Sequence, residues 1–169
     1  ETETATEEFT WNVEVAADLP LCVNCGNQPG VTAFGRTFGP DQYEVSAGLA
    51  FNKLTTPISG TVPNSGEEDI FQTERYSPLV QYAIPTGNGN FTVELYFAEL
   101  FVGAPGSGSG LGAAHRIFDI DVEGVTENGI DLFVEYGPLV AVTKTFAVTV
   151  TDCILNIDLE ASADNGKLN

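Results

Sequence analysis

Two short stretches carry the most suggestive chemistry. In Gln72-Thr73-Glu74-Arg75-Tyr76 a charged pair stands beside an aromatic ring, and in Phe97-Ala98-Glu99-Leu100-Phe101 one carboxylate sits among apolar residues. A carboxylate embedded in apolar sequence needs a cation, because an unpaired buried charge is far costlier than a paired one. Glu74, Arg75 and Glu99 therefore read as a partly buried ion pair tying two strands together. The rings beside them, Tyr76 and Phe101, read equally as rim packing or as flat faces for a ligand.

Catalytic chemistry finds little support. His115 is the single histidine, and between Ala113-Ala114 and Arg116 it reads as a surface residue where a strand starts. Paired carboxylates can hydrolyse glycosidic bonds, but among 24 acidic residues their presence discriminates nothing. The run Gly106-Ser107-Gly108-Ser109-Gly110 lies between strand patterns rather than before a helix, so it is no phosphate cradle. Cys22 and Cys25 have Cys-x-x-Cys spacing without the second pair that a structural zinc requires. Glu67-Glu68-Asp69 reads as a solvated acidic loop rather than a calcium site. Neither enzymatic activity nor a metal nor a cofactor is expected.

Strands must position these residues. From Asn90 to Phe97 the chain alternates, with Phe91, Val93, Leu95 and Phe97 on one side and Thr92, Glu94 and Tyr96 on the other, the period of a strand with one face on a core. The turn Pro85 to Asn90 before it has residues that tolerate positive φ, as a hairpin needs. Further strands are expected at Leu21–Cys25, at His115–Val122 with Phe118, Ile120 and Val122 inward, and in a hairpin of Thr145–Val150 with Cys153–Leu159 around Thr151-Asp152. Gly103 to Gly112 reads as a flexible loop. Long apolar stretches at helical spacing are missing, and the fold class is all-β.

Asn24-Cys25-Gly26, the QTERY run, Tyr82-Ala83-Ile84-Pro85, the Gly-rich turn and the strand ending Phe97-Ala98-Glu99 form a series. It continues through Arg116 to Ile120, Glu123-Gly124, Leu155-Asn156-Ile157 and Ala163-Asp164-Asn165. Together they resemble the malectin domain, a carbohydrate-binding β-sandwich, over about Cys22 to Asn169. The resemblance implies an antiparallel, jelly-roll-like β-sandwich that binds a glycan or polysaccharide through loops at one end. Position by position, it places ligand-contacting aromatics at Tyr76, Phe101 and Phe51 and the acid at Asp164, with Glu99 behind them. Phe101 and Phe51 lack the family's hydroxyl, and Val102 stands where the family has a second ring.

Residues 1–20 lie outside the resemblance and residues 21–169 form the sandwich. Within the arm, Phe9 to Ala16 alternates Phe9, Trp11, Val13 and Val15 with Thr10, Asn12 and Glu14, an added strand with the only tryptophan. Family members run on from Asp164-Asn165 into a last apolar strand that this sequence lacks. A surplus strand and a missing one leave two readings: residues 9–16 fold back into their own domain, or they fill the gap in a neighbour, which raises the alternative of a structural subunit pairing with copies of itself in an extracellular filament.

A formal charge of −18, from six basic and 24 acidic residues, argues against nucleic acid and anionic membranes as partners. No apolar run suits membrane insertion. Starting at Glu1, the chain reads as a processed product of the extracellular space or secretory lumen. Three cysteines allow one disulfide. In a strand reading Cys153 points inward with Leu155, while Cys22 and Cys25 lie on opposite faces of one strand; Cys22–Cys153 is the favoured pairing. Asn90-Phe91-Thr92 is a glycosylation acceptor pattern at Asn90.

Overall fold

The computed structural model describes residues 19–26, 30–62 and 65–169. The added strand expected at 9–16 lies outside them. Eleven strands are described: β1 (Val31–Ala33), β2 (Arg36–Phe38), β3 (Leu49–Asn52), β4 (Thr73–Ser77), β5 (Leu79–Pro85), β6 (Gly89–Phe97), β7 (Ile117–Val122), β8 (Val125–Ile130), β9 (Val142–Val150), β10 (Ile154–Ala163) and β11 (Gly166–Leu168). One helical turn, α1 (Leu132–Glu135), is capped by the Asp131 carboxylate, which accepts the Val134 N–H.

All strand pairs are antiparallel: β5-β10-β7-β8 form one sheet, β6-β9 a second, β11-β4-β3 a third and β1-β2 a small ribbon. Alternate residues of facing sheets meet in the main core. Val80, Tyr82 and Ile84 of β5 and Phe118, Ile120 and Val122 of β7 pack against Leu95 and Phe97 of β6 and Phe146 and Val148 of β9. A second cluster, with Phe38, Ile58, Ile70, Phe71 and Leu100, fills the space beneath β1-β2. The all-β sandwich expected from the sequence is the fold observed.

Connectivity departs from the sequence reading. The Pro85–Asn90 turn joins β5 to β6, which lie in different sheets, so it is a crossover between layers and not a hairpin. Thr151-Asp152 likewise joins β9 to β10 across the sandwich. Alternation tells which side of a strand is buried but not which strand it pairs with. Leu21–Cys25 makes a single bridge, Val23 to Gly39, rather than a strand. The Gly103–Gly112 loop, expected to be flexible, is stitched: Gly103 N–H donates to Gly108 O at 2.8 Å and Gly108 N–H to Phe101 O at 2.9 Å. Gly108 is required there, since a Cβ would come within 2.5 Å of Phe101 O.

The Cys22–Cys153 disulfide is corrected. Cys22, Cys25 and Cys153 are all free thiols. Cys153 does not share the inward face of Leu155, because it precedes β10 in a turn with φ of 71° and is exposed. Cys25 is the buried one. Burial pushes its thiol up to about 12 from 9.0, with the Asp41 carboxylate adding to the effect. Burial, then neighbouring Cys25 and Asp41, also raises the Tyr82 hydroxyl well above its ordinary value. Groups raised in this way lend stability that is fully present below their unfolded values and is lost as pH rises through the folded ones. Wild type is therefore expected to lose melting temperature relative to Cys25→Ala as pH climbs from 9.0 toward about 12; parallel Tm curves over that range would contradict it.

Candidate functional site

Register assembles the site. On β4, Glu74 and Tyr76 point to one side. Directly opposite residues share a face, and Phe51 of β3 lies opposite Glu74 while Lys167 of β11 lies opposite Tyr76. The four side chains thus emerge on one face of the three-stranded sheet. Arg75 and its partner Leu168 take the other face, where Leu168 joins the main core.

Beneath this face lies a group of buried charges. Glu74 and Glu99 are each 1% exposed, Arg116 is 5% and Lys167 is 0%. Lys167 Nζ stands 2.5 Å from Glu74 Oε2, and it donates a close hydrogen bond to Ala98 O. Arg116 Nη1 lies 3.6 Å from both Glu74 Oε1 and Glu99 Oε2, and its Nε 3.5 Å from Asp164 Oδ2. Glu99 Oε1 accepts the N–H groups of Phe101 and Val102 at 2.8 and 2.9 Å, fixing the turn that carries Phe101. Burial pulls the Lys167 ammonium below its ordinary value, against the opposing pull of Glu74 and Glu99. Asn169 closes the corner: its Oδ1 accepts from Ala98 N, and its Nδ2 donates to Phe71 O and Thr73 O.

The expected ion pair is therefore reassigned. Glu74 and Glu99 are paired as read, but with Arg116 and Lys167. Arg75, one residue out of phase, turns away and donates to Asp41 Oδ2 at 2.8 and 2.5 Å. Asp41 also accepts from Gly26 N–H and the Tyr82 hydroxyl, tying the Asn24-Cys25-Gly26 segment to β4 and β5.

Above the charges opens a hollow of about 200 Å³. Phe51, Tyr76, Phe101 and Asp164, from four separated segments, all line it, together with Glu74, Arg116 and Asn165. Phe51 and Phe101 meet edge to face at 6.2 Å between centroids. Asp164 stands at the mouth with φ of 57°, just past a register shift near the end of β10. Its Oδ1 accepts from Asn165 Nδ2 at 2.8 Å. Two atoms of the Arg116 guanidinium, Nε and Nη1, have no hydrogen-bond partner, and neither has Glu99 Oε2. Val102 is fully buried beside the hollow and lines no part of it. Glu99 also stays out of the lining and stands behind it, against Arg116 and the Phe101 turn.

Arg116, Lys167 and Asp41 were missed from sequence. The available signal was scarcity: the chain has six basic residues, and two of them sit in or beside apolar strand sequence, Arg116 before Ile117-Phe118 and Lys167 before Leu168. Among the described residues no group of His, Cys, Asp and Glu could hold a metal ion.

Removing one member of a buried pair strands the other. Lys167→Met is expected to cost about 3–5 kcal/mol in urea unfolding, and adding Glu74→Gln should recover part of the loss. A single variant as stable as wild type would contradict the pairing.

Comparison with known proteins agrees with this fold. The family described as the malectin domain matches residues 19–169. A probable LRR receptor-like serine/threonine-protein kinase of Arabidopsis thaliana is 34% identical over 123 residues, 70% of this chain and 11% of the kinase; the chain thus spans about a tenth of that relative. Among solved structures, a Bacteroides uniformis beta-glucuronidase superposes with a TM-score of 0.71 at 23% identity, over 88% of this chain and 17% of that one. The ANXUR1 extracellular domain from Arabidopsis thaliana superposes with a TM-score of 0.66 at 16% identity, over 88% and 45%. A complex of plant peptide RALF23 with FER and LLG2 contains the same fold, with a TM-score of 0.68 at 18% identity over 87% and 46%. With the family's model matching residues 19–169, nearly the whole chain, the chain belongs to the malectin domain family.

Proposed function

We propose that the hollow binds a carbohydrate without transforming it. One observation carries the reading: Phe51, Tyr76, Phe101 and Asp164 converge on a cavity floored by the Arg116 guanidinium, whose Nε and Nη1 are ion-paired with Asp164, Glu74 and Glu99 but make no hydrogen bond among the described residues. Ring faces pack against the C–H surface of a sugar, while a carboxylate and a guanidinium serve its hydroxyls. At about 200 Å³ the hollow is smaller than the roughly 300–1,000 Å³ usual for drug-sized ligands; it suits one or two sugar rings at the end or side of a glycan.

The carboxylates at the hollow are engaged already. Glu74 is held by Lys167 and Arg116, and Asp164 stands beside Arg116 and Asn165. Such an arrangement orients a ligand and supports a non-catalytic role. Phe51 and Phe101 stack without offering hydroxyls, so selectivity falls to Tyr76, Asp164 and Arg116. An extracellular or lumenal setting accords with the extracellular domains that share the fold. Among the described residues no helix is long and apolar enough to cross a membrane.

A second reading is a structural subunit of an extracellular filament joined by donor-strand exchange through residues 9–16. It draws on a different surface, the edge of β6 that no described strand pairs with, and leaves the rim free.

Binding on a glycan array should weaken about tenfold, or roughly 1.4 kcal/mol, in Tyr76→Ala and in Phe101→Ala, with unchanged circular dichroism. Asp164→Asn, at a half-open site, should weaken binding with little loss of stability. Full binding by Tyr76→Ala would overturn the assignment of the hollow. Asn90 is exposed, and its Oδ1 accepts from the Thr149 hydroxyl at 2.8 Å. Secreted from a glycosylating host, the chain is expected to carry one glycan that Asn90→Gln removes, read by intact mass; an unchanged mass would refute Asn90 as the acceptor.

A further inference from the structure

The edge of β6 that faces away from β9 is unusual. β6 pairs with β9 at every residue from Gly89–Val150 to Phe97–Val142, and with no other described strand. In an antiparallel ladder successive residues turn their backbone groups to alternate sides. Tyr96 O accepts from Asn169 N–H at 3.1 Å, and Ala98 N–H donates to the Asn169 side chain at 2.7 Å, both on the side away from β9. The same parity puts the N–H and C=O groups of Asn90, Thr92 and Glu94 on that side. Among the described residues nothing pairs with them.

Alongside this edge runs an apolar hollow of about 570 Å³. Phe91 and Val93 of β6, Tyr82 and Ile84 of β5, and Leu155 and Ile157 of β10 form much of its wall. Phe91 and Val93 are only partly buried although both pack on the main core. A row of free backbone groups above an apolar trough is the complement of an extended segment with alternating apolar side chains. Neither a sugar nor a helix would satisfy both features.

We propose that this edge accepts Phe9–Ala16 of a second copy of the chain as an added strand. The segment lies outside the described residues, and its sequence fits the slot. Its eight residues match the span Gly89 to Tyr96. Its apolar set, Phe9, Trp11, Val13 and Val15, recurs at the period that would face the trough. Its one charge, Glu14, meets no unpaired acid at the slot's mouth, since Glu94 is already paired with Arg36 at 2.9 Å. Leu19 to Val23 of the same chain already forms part of the trough wall, so within one copy the trough is shared with the residues that follow the segment. A segment supplied by another copy enters without that constraint, and the contact, being head-to-tail, repeats. The proposal goes beyond the carbohydrate reading and does not depend on it; for the second reading it supplies the acceptor.

Light scattering and Trp11 emission test it together, Trp11 being the only tryptophan. With rising concentration the mass is expected to grow in multiples of one chain while emission shifts to the blue. Thr92→Pro removes one outward N–H and leaves the β9 ladder intact; Val13→Pro breaks the donor and keeps the reporter. Each variant alone should stay at single-chain mass with water-exposed emission. Mixed, they should form a one-to-one dimer, because each keeps the half the other has lost, and the dimer also demonstrates that both fold. Single-chain mass for wild type at every concentration overturns the proposal, whether Trp11 is exposed or buried in its own chain. So does an oligomer that survives in both variants, or a mixture that forms no dimer.

Discussion

The structure depends on neutralising four ionisable side chains in a place that water does not reach. Glu74 and Glu99 on one side, Arg116 and Lys167 on the other, arrive from β4, the end of β6, the entry to β7 and β11. None could be buried alone. Their mutual attraction is offset largely by the loss of hydration, so the cluster contributes less to net stability than to uniqueness of arrangement. A slip of β4 by one residue would put Glu74 into the main core and Arg75 beneath the hollow. Buried charge thus fixes the register on which the rim is built.

Much of the fold was legible because strands advertise their buried face. The alternation in Asn90–Phe97 and in Ile117–Val122 corresponds to β6 and β7 with the expected residues inward. Partners were not legible. Both turns taken for hairpins carry the chain from one layer to the other, and the residues of a tight turn look alike whether the next strand lies beside the last or across from it. Cys153 was misplaced for a related reason: extending the period of β10 by one residue ignored the positive φ at which the strand begins.

The rim was legible only through the family's motifs. Nothing in spacing alone would bring Phe51 together with Asp164, more than a hundred residues apart. The polar floor was legible only in part: Glu74 and Glu99 read as ion-paired, but the cations that pair with them did not. Arg116 and Lys167 resemble ordinary surface cations until register places them under Tyr76. The hollow and the trough differ in kind. One is small, charged at its base and ringed by aromatics; the other is larger, more apolar and bordered by peptide groups that nothing among the described residues pairs with.

The free thiols have a consequence of their own. Cys25 is sealed within the core and Cys22 is half covered, which leaves Cys153 as the sulfur open to solvent. It immediately precedes β10, whereas Asp164 follows that strand's last residue. Ten residues of strand at about 3.3 Å each separate the two by roughly 30 Å. A maleimide-activated surface or bead would therefore grip the molecule by the pole far from Asp164, and an immobilised layer would stand with the small hollow of each molecule turned outward to the passing solution.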